Sequence, residues 1–376
     1  MNLPDPEPPP TVALDFASPP SPDSSTSPPP PPPSPIVPPE DPPVLPQSPD
    51  PGEDCIILAS MDNLTLITEF FLMEISSSWE LQVLQGVLFL MIYLGAQAGN
   101  LLTILVIVTD PNLHFPMYFF IANLSFIDLC SISVIVPKSI VNSLTGRKSI
   151  SLKECAAQIF LYTLFAPTEI ALLVVMSYDR YIAICHPLHY GLTVTPQVCA
   201  QAAGGSWASG LLYSAIHTVN MFRLPFTKSN VIHQYFCDVP QVLRISSSDV
   251  QFCESILLAI SSGIVLVCFT FMFMSYIKIF SSVLQMHSAE ARNKALSTCT
   301  PQLAILFLFV TSALIAALGP IANKASLKNL LIAVIYTMLP PFINPLIYSL
   351  RNREINYALG RIYKKYFDFP KRVLLN

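Results

Sequence analysis

The chain has 376 residues, of which 52% are hydrophobic and only 12% are charged, and its mean hydropathy is +0.54. Such a composition lies outside the range of ordinary soluble domains and indicates a membrane protein. The net charge is only -4, and its distribution argues against a nucleic-acid partner, because the first basic residue is Lys138 and thirteen of the 24 acids precede Leu81.

Proline dominates the beginning of the chain. Residues 1–60 hold 22 of the 36 prolines, including an unbroken run from Pro28 to Pro33. A segment of this kind cannot bury a core, so residues 1–60 are predicted to be a disordered, extended N-terminal extension. A PxxP ligand for an SH3-type domain is one interpretation. The other is that Met61 is the ordinary start and that the preceding residues are an alternative extension.

Seven mostly apolar runs follow, each long enough to cross about 30 Å of hydrocarbon as a helix. The fourth run is rich in Gly, Ala and Ser, which suits a helix packed closely against its neighbours. The sequence therefore predicts an all-α membrane protein, a seven-transmembrane helix bundle within residues 61–355, embedded in a lipid bilayer. The runs lie near residues 83–108, 117–141, 156–178, 199–221, 255–279, 296–319 and 328–350.

The two ends of the chain differ in charge, and this difference predicts the orientation. No Lys or Arg precedes the first run, whereas a basic cluster follows the last one. Positive charge favours the cytoplasmic side, so the N-terminus is expected outside and residues 356–376 are expected to form a cytoplasmic tail. Asn63, in the sequence Asn63-Leu64-Thr65, is then an N-glycosylation acceptor in a short outer segment.

Two of the nine cysteines are predicted to lie outside the spans and in the oxidising compartment. Cys155 is at the outer mouth of the third span, and Cys237 is in the loop before the fifth. A bridge between them would tie the long outer loop over the bundle. Cys55 and Cys253 stay unassigned.

Two carboxylates lie inside predicted spans, Asp128 in the second and Glu169 in the third. A charge at the bilayer centre is costly, so both are candidate functional residues. They could form a hydrogen-bonded pair in which at least one carboxyl is protonated. The sharper hypothesis is that they share a sodium ion, with Asn100 and Asn344 completing a polar core.

Prolines inside the spans predict kinks or unwound turns, because each one removes a backbone hydrogen bond. The third span carries Pro167, the sixth carries Pro301, and the seventh carries Pro340, Pro341 and Pro345. These prolines would act either as static bends or as hinges for a helix that swings during signalling.

An acid and an arginine stand side by side where the third span ends. Asp179 can hold Arg180 in a resting ion pair, and a freed guanidinium would offer five donors to a partner helix. The alternative is a pair that merely anchors the helix end at the membrane surface, which is common.

Longer motifs decide between these alternatives. The stretch MSYDRYIAICHPLHY, which begins at Met176, resembles the end of the third span and the second inner loop of olfactory receptors, a family of rhodopsin-like (class A) G-protein-coupled receptors. Together with the other matching motifs it covers residues 61 to about 355. Those motifs follow in family order: GN at Gly99, LHFPMYFFIANLSFIDLC from Leu113, Trp207 in the fourth span, SYIKI from Ser275, KALSTCTPQL from Lys294 and PPFINPLIYSLRN ending at Asn352.

The resemblance implies that ligand binding activates a heterotrimeric stimulatory G protein and raises cyclic AMP. It also implies an interior sodium site at Asp128 and Glu169, and a disulfide between Cys155 and Cys237. The residues that match the family's G-protein switch are Asp179, Arg180, Tyr181, Tyr276, Asn344, Pro345 and Tyr348.

The resemblance places the ligand pocket between the third, fifth and sixth spans, in their outer halves. Its lining would be mostly apolar with a few hydroxyls, which suits a small volatile odorant held by dispersion and one or two hydrogen bonds. The predicted lining residues are Tyr162, Thr163, Ala166, Ile260, Ser261, Ile264, Ala313, Leu314 and Ala317.

The chain departs from the family pattern at several positions. Thr227 and Ser247 stand where many olfactory receptors carry a second pair of loop cysteines. Thr311 follows Val310 where the family has an aromatic-glycine step, so the usual tyrosine trigger of the sixth span is missing. Arg292 replaces the inner acid that locks the switch arginine in many related receptors, so the resting lock is expected to depend on Asp179 and to be weak.

Other functions fit the sequence less well. An amine receptor would need an acid where Tyr162 stands, and a retinal protein would need a lysine in the middle of the seventh span, whereas Lys328 is at its outer edge. We find no repeated halves or pore stripes of a transporter or channel, and no set of catalytic groups, so the chain is not expected to be an enzyme. The remaining alternative is a class A receptor for another small non-amine ligand that acts outside the nose.

Overall fold

The computed structural model describes residues 67–73, 78–226, 229–318 and 327–367, and most of these residues are α-helical. For residues 313–318 and 327–330 only the backbone is described. The predicted extension at 1–60 and the glycosylation acceptor Asn63 lie outside the described residues. The described residues all belong to one compact unit, residues 59–376.

Seven long helices form the bundle, and they contain the seven predicted spans. Six of them are long and apolar enough to cross a membrane, and the exception among the described helices is the fourth. The prediction of a seven-helix bundle is therefore confirmed, and the weak apolar character of the fourth run persists in the structure. The helices are α1 (Trp79–Thr109), α2 (Pro116–Thr145), α3 (Leu152–Cys185), α4 (Pro196–Phe222), α5 (Ser248–Leu284), α6 (Ala289–Leu318) and α7 (Leu327–Arg351).

Helix α4 packs tightly on α3, as its small residues predicted. A Cβ atom on Gly210 would lie 2.0 Å from Thr168 Oγ1 and 2.7 Å from the backbone oxygen of Leu164. Only a glycine permits this approach, so the small side chains of α4 serve helix contact.

Polar side chains define where several helices begin. At α3, the Ser151 side chain accepts a hydrogen bond from the Glu154 backbone N–H, and the Glu154 side chain accepts one from the Ser151 backbone N–H. Thr195 caps α4 in the same way as Ser247 caps α5, each with its hydroxyl oxygen accepting a backbone N–H. These caps satisfy donors that the first helical turn leaves without partners.

A small three-stranded sheet covers one end of the bundle and was not predicted. Its strands are β1 (Glu69–Leu72), β2 (Ser149–Ser151) and β3 (Val231–Ile232), in the order β2-β1-β3. Strand β1 pairs antiparallel with β2 and parallel with β3. The same end carries a disulfide between Cys155 and Cys237, as the resemblance implied, and we call it the disulfide end.

The opposite end carries Arg180, and we call it the arginine end. Here α8 (Arg353–Phe367) extends the packed structure beyond the predicted domain boundary at residue 355. Ile355 and Ala358 are buried against the bundle, and Arg361 Nε donates to Asp110 Oδ2 at 2.8 Å. The hydrogen bond from the Arg361 guanidinium lowers the pKa of Asp110 below its usual value.

The helices continue through their internal prolines, so the predicted unwound turns do not form. The α-helical conformation is unbroken at Pro167, at Pro301 and across the three prolines of α7. Pro345 has no backbone N–H for the Pro341 carbonyl, and the Asn100 side chain of α1 donates to that carbonyl instead, at 2.8 Å. A proline in α7 thus creates a polar contact with α1.

Replacing Gly210 with alanine tests the α3–α4 contact. The added methyl group meets a backbone oxygen, so Gly210→Ala is expected to destabilise the fold by about 1–3 kcal/mol, as overpacked cores do. The measurement is the melting temperature of the purified protein in detergent micelles. Gly204→Ala is the matched control in the same helix, because nothing lies within 4 Å of a Cβ at Gly204. Equal melting temperatures for the two variants would contradict the tight contact.

Candidate functional site

A cavity of about 170 Å³ lies inside the bundle between α2, α3, α6 and α7. Its lining residues include aromatic and proline rings, five side chains that bear a hydroxyl and two that bear a carboxyl. It is lined by Asp128, Ser131, Tyr162, Phe165, Ala166, Glu169, Phe309, Ser312, Tyr336, Thr337, Pro340 and Pro341. A mostly apolar cavity with a few polar groups is typical of a site for a small organic molecule.

The predicted pocket residues of α3 divide into two groups. Tyr162 and Ala166 line the cavity. Thr163 faces α4 instead, because its hydroxyl donates to the Ile159 carbonyl at 2.7 Å and lies 3.1 Å from the Ser214 hydroxyl. Two of the three predicted α3 residues are thus on the cavity wall, and the third belongs to a helix contact.

The predicted pocket residues of α5 do not line the cavity. Ile260 and Ile264 are 58% and 61% exposed, on the surface that a bilayer would cover, and Ser261 donates to the Leu257 carbonyl of its own helix. The structure therefore places all three residues away from the cavity. Helix α5 shows hardly any difference in hydrophobicity between its faces, so its sequence pattern does not mark which face points inward. Helices α2 and α7 contribute to the cavity in its place. The side chains of Ala313, Leu314 and Ala317 lie outside the described residues.

The two intramembrane carboxyls are both on the cavity wall, next to a polar core. Asp128 Oδ2 accepts a hydrogen bond from Asn344 Nδ2 at 3.0 Å. The side-chain oxygens of Asn100, Ser125 and Asn344 are buried, and none has a hydrogen-bond partner in the described part of the chain. Such oxygens can accept a proton donor or ligate a cation.

The loop between α4 and α5 packs against two of the residues that line the cavity. We call residues 234–238 the roof segment. Cys237 joins it to α3 through the disulfide, and the Cys237 backbone N–H donates to Gln158 Oε1 at 2.7 Å. The buried Phe236 ring contacts the rings of Tyr162 and Tyr336, which both line the cavity. The roof segment therefore packs directly against two cavity walls.

Two further contacts fasten the roof segment to α7. The hydroxyls of Tyr235 and Thr337 lie 2.7 Å apart, and the Tyr336 hydroxyl donates to Asp238 Oδ2 at 3.3 Å. Burial raises the pKa of Asp238 to about 6, against the opposing effects of the Tyr336 hydroxyl and the Val239 backbone N–H.

At the arginine end, Asp179 holds Arg180 in an ion pair. Arg180 Nε donates to Asp179 Oδ2 at 2.9 Å, and a second guanidinium nitrogen contacts the same oxygen. Tyr190, which the sequence reasoning missed, donates its hydroxyl to Asp179 Oδ1 at 2.8 Å. Tyr181 contacts His186 and lies under the Lys278 ammonium group.

The two tyrosines expected to move toward Arg180 are buried. The hydroxyls of Tyr276 and Tyr348 have no hydrogen-bond partner among the described residues. Arg292 of α6 is exposed. The ion pairs in the described residues give Arg180 one acidic partner, Asp179.

A second buried polar cluster lies between α4 and α5 and was also missed. His217 contacts Glu254, and Asn220 Nδ2 donates to the other Glu254 oxygen at 2.7 Å. The sequence reasoning placed Glu254 just before the fifth span, but α5 begins at Ser248 and Glu254 is fully buried. The spacing of His217 and Asn220 on one face of α4 was the available signal.

Comparisons with known proteins agree on one family. A family model described as olfactory receptor matches residues 89–365. Olfactory receptor 14I1 of Homo sapiens is 55% identical over 311 residues, which are 83% of this chain and 100% of that protein. Olfactory receptor 14A16 of Homo sapiens is 46% identical over 304 residues, covering 81% of this chain and 98% of that protein.

A solved structure shares the fold. The crystal structure of squid rhodopsin matches with a TM-score of 0.58 and covers 78% of this chain and 87% of that chain. The sequence identity is 17%, so this likeness concerns the arrangement of helices alone.

Proposed function

The chain belongs to the olfactory receptor family, and we therefore propose that it binds small volatile odorants in the cavity between α2, α3, α6 and α7 and activates a stimulatory heterotrimeric G protein that raises cyclic AMP. Family membership makes the protein a multi-pass plasma-membrane receptor and not an enzyme. The observation that carries the proposal is the cavity, because two of the residues expected to contact an odorant, Tyr162 and Ala166, are on its wall.

The cavity wall favours small and weakly polar ligands. Rings of phenylalanine, tyrosine and proline give apolar contact, and the hydroxyls of Ser131 and Ser312 offer a few hydrogen bonds. The described lining contains carboxyls but no Lys, Arg or His, so a carboxylate ligand is disfavoured. A ligand of about ten heavy atoms would bind with roughly micromolar affinity.

The polar core next to the cavity fits the sodium hypothesis. Asp128 and Glu169 would supply charge, and the buried oxygens of Asn100, Ser125 and Asn344 would supply further ligands. Oxygen ligands suit hard cations, and no group of three His, Cys, Asp or Glu side chains converges among the described residues as a transition-metal site would require. A bound sodium ion would neutralise carboxylate charge there. A proton shared by the two carboxyls is the alternative.

The disulfide end is proposed to face the outside and the arginine end the cytoplasm. A disulfide needs an oxidising compartment, and the basic residues after α7 favour the cytoplasmic side.

A glycosidase-sensitive mobility shift that disappears in Asn63→Gln would agree with this orientation and with sugar on Asn63. A shift that persists in the variant would place the sugar elsewhere.

Signalling is proposed to release Arg180 from Asp179. An odorant that binds the active arrangement more tightly shifts the population toward it. The end of α6 near Arg180 would then move outward, and the partnerless hydroxyls of Tyr276 and Tyr348 would gain partners as the helices rearrange. The freed guanidinium offers its donors to the G protein.

Arg180→Ala tests the receptor assignment. Cells that express the receptor with a cyclic AMP reporter are screened with a broad panel of volatiles, and the variant is expected to lose every response while its amount at the cell surface is unchanged. Arg147→Ala is the control, because it removes an exposed arginine at the disulfide end. An intact response in Arg180→Ala would refute the switch role, and a panel without any active volatile would favour the alternative of another small ligand.

Tyr190→Phe tests the resting ion pair. The variant loses a hydrogen bond that orients the Asp179 carboxylate, so the resting state is weakened and ligand-free cyclic AMP is expected to rise about two- to fivefold, the effect of one ordinary hydrogen bond. Tyr178→Phe is the matched control on an exposed tyrosine nearby. Basal signalling that is equal in the two variants would show that Tyr190 does not support the ion pair.

A further inference from the structure

One tyrosine side chain belongs to two sites at once. The Tyr336 ring forms part of the cavity wall, whereas its hydroxyl donates to Asp238 in the roof segment. Asp238 is not among the residues that line the cavity. The hydrogen bond therefore directs the hydroxyl toward the loop, away from a molecule in the cavity.

The neighbouring contacts hold this arrangement in place. The Phe236 ring meets the Tyr336 ring nearly edge to face, with centroids 6.4 Å apart. One residue further along α7, the hydroxyl of Thr337 lies 2.7 Å from that of Tyr235. Since Cys237 is bonded to α3, the roof segment itself has little freedom to follow a moving side chain.

We propose that Asp238 is a positioning residue for odorant selectivity. Because Asp238 accepts a hydrogen bond from the Tyr336 hydroxyl, this donor is not available to a ligand in the cavity, and the ligand contacts the tyrosine ring instead. This inference rests on the proposed odorant function. Without the Asp238 acceptor, the Tyr336 hydroxyl would be an unsatisfied donor, and an odorant with a carbonyl oxygen would satisfy it. Asp238 thus biases the receptor toward apolar odorants over carbonyl odorants of the same shape.

The protonation of Asp238 gives an independent signature. The groups that face it are phenols, Tyr336 of α7, Tyr162 of α3 and Tyr235 of the roof segment itself. Burial raises its pKa from 3.8 to about 6. The protonated form is favoured by folding, so the stability it contributes is complete below pH 3.8 and is lost as the pH rises through about 6.

The experiment compares four variants of the full chain: Asp238→Leu, Asp238→Asn, Tyr336→Phe and the double variant Asp238→Leu/Tyr336→Phe. The probes are matched volatiles with one carbon skeleton, cyclooctanone and cyclooctene, and other ketone and alkene pairs of the same kind. The readout is the ratio of their potencies in the cyclic AMP assay.

Asp238→Leu is expected to raise ketone potency relative to the alkene about three- to tenfold, because one hydrogen bond becomes available. Tyr336→Phe is expected to leave the ratio unchanged, since its hydroxyl is already engaged, and the double variant is expected to return to the original ratio. Asp238→Asn keeps an acceptor oxygen and is expected to keep the ratio. A shift in Tyr336→Phe against the ketone, or no shift in Asp238→Leu, would overturn the proposal.

A ligand-free measurement separates this proposal from the odorant function. In melting-temperature cycles on the purified receptor, Asp238→Leu and Tyr336→Phe are expected to be non-additive, with the double variant more stable than the sum of the single changes predicts. Tyr178→Phe is the matched control and is expected to add independently, because Tyr178 is exposed and lies at the arginine end, opposite the roof segment.

The pH arm uses the same preparations. The melting temperature of the unaltered receptor is expected to fall more steeply between about pH 4 and 6 than that of Asp238→Asn, which has no titrating group at this position. Additive cycles together with equal pH profiles would refute the positioning role whatever the odorant response. If no volatile activates the receptor but the cycle is non-additive, the contact by which Asp238 positions Tyr336 stands, and the odorant function fails together with the selectivity that rests on it.

Discussion

A bilayer offers a buried polar group no water, so each such group within the spans must find its partner inside the bundle. This constraint explains the contacts that join helices distant in sequence. Asn344 of α7 donates to Asp128 of α2, and Asn100 of α1 donates to a carbonyl that Pro345 leaves without a backbone donor. Helices that are apolar on all sides would otherwise have little to fix their register.

The same constraint bears on the position of the polar groups along the helices. Asp128 and Glu169 lie on the cavity wall, and α3 and α7 carry cavity residues in one half and the residues Arg180 and Tyr348 in the other. A change in the distance between α3 and α7 would therefore affect both the cavity and the arginine end. The proposed switch would keep these buried polar contacts while the helices move between two arrangements.

At the disulfide end, a loop is held against residues that line the cavity. Strand β1 buries Phe70 and Leu72 beneath the loop between α4 and α5, and the disulfide fixes that loop to α3. The short roof segment then contacts α2, α3 and α7 together, with Ser139 of α2 donating to the Tyr235 carbonyl. The disulfide and these hydrogen bonds thus hold the loop against Tyr162 and Tyr336, which line the cavity.

The sequence alone established what depends on local pattern. Apolar run length gave the seven helices, the small residues of α4 announced its tight packing, and the motif around Arg180 indicated the family that the comparisons confirmed. The costly intramembrane carboxyls Asp128 and Glu169 were also visible as exceptions in an apolar background.

Tertiary structure alone decided which faces meet. The apolar residues of α5 do not mark which of its faces points inward. Ile260 and Ile264 were therefore assigned to the pocket, although the structure exposes them. The partners Tyr190 with Asp179, Arg361 with Asp110 and Asp238 with Tyr336 join residues that no periodic pattern connects, and the last two pairs are far apart in the chain. The physical reason is that the hydrophobic pattern of a segment determines whether that segment enters lipid, and this depends on the segment alone. A hydrogen bond between side chains depends instead on where two separate segments lie in the folded protein.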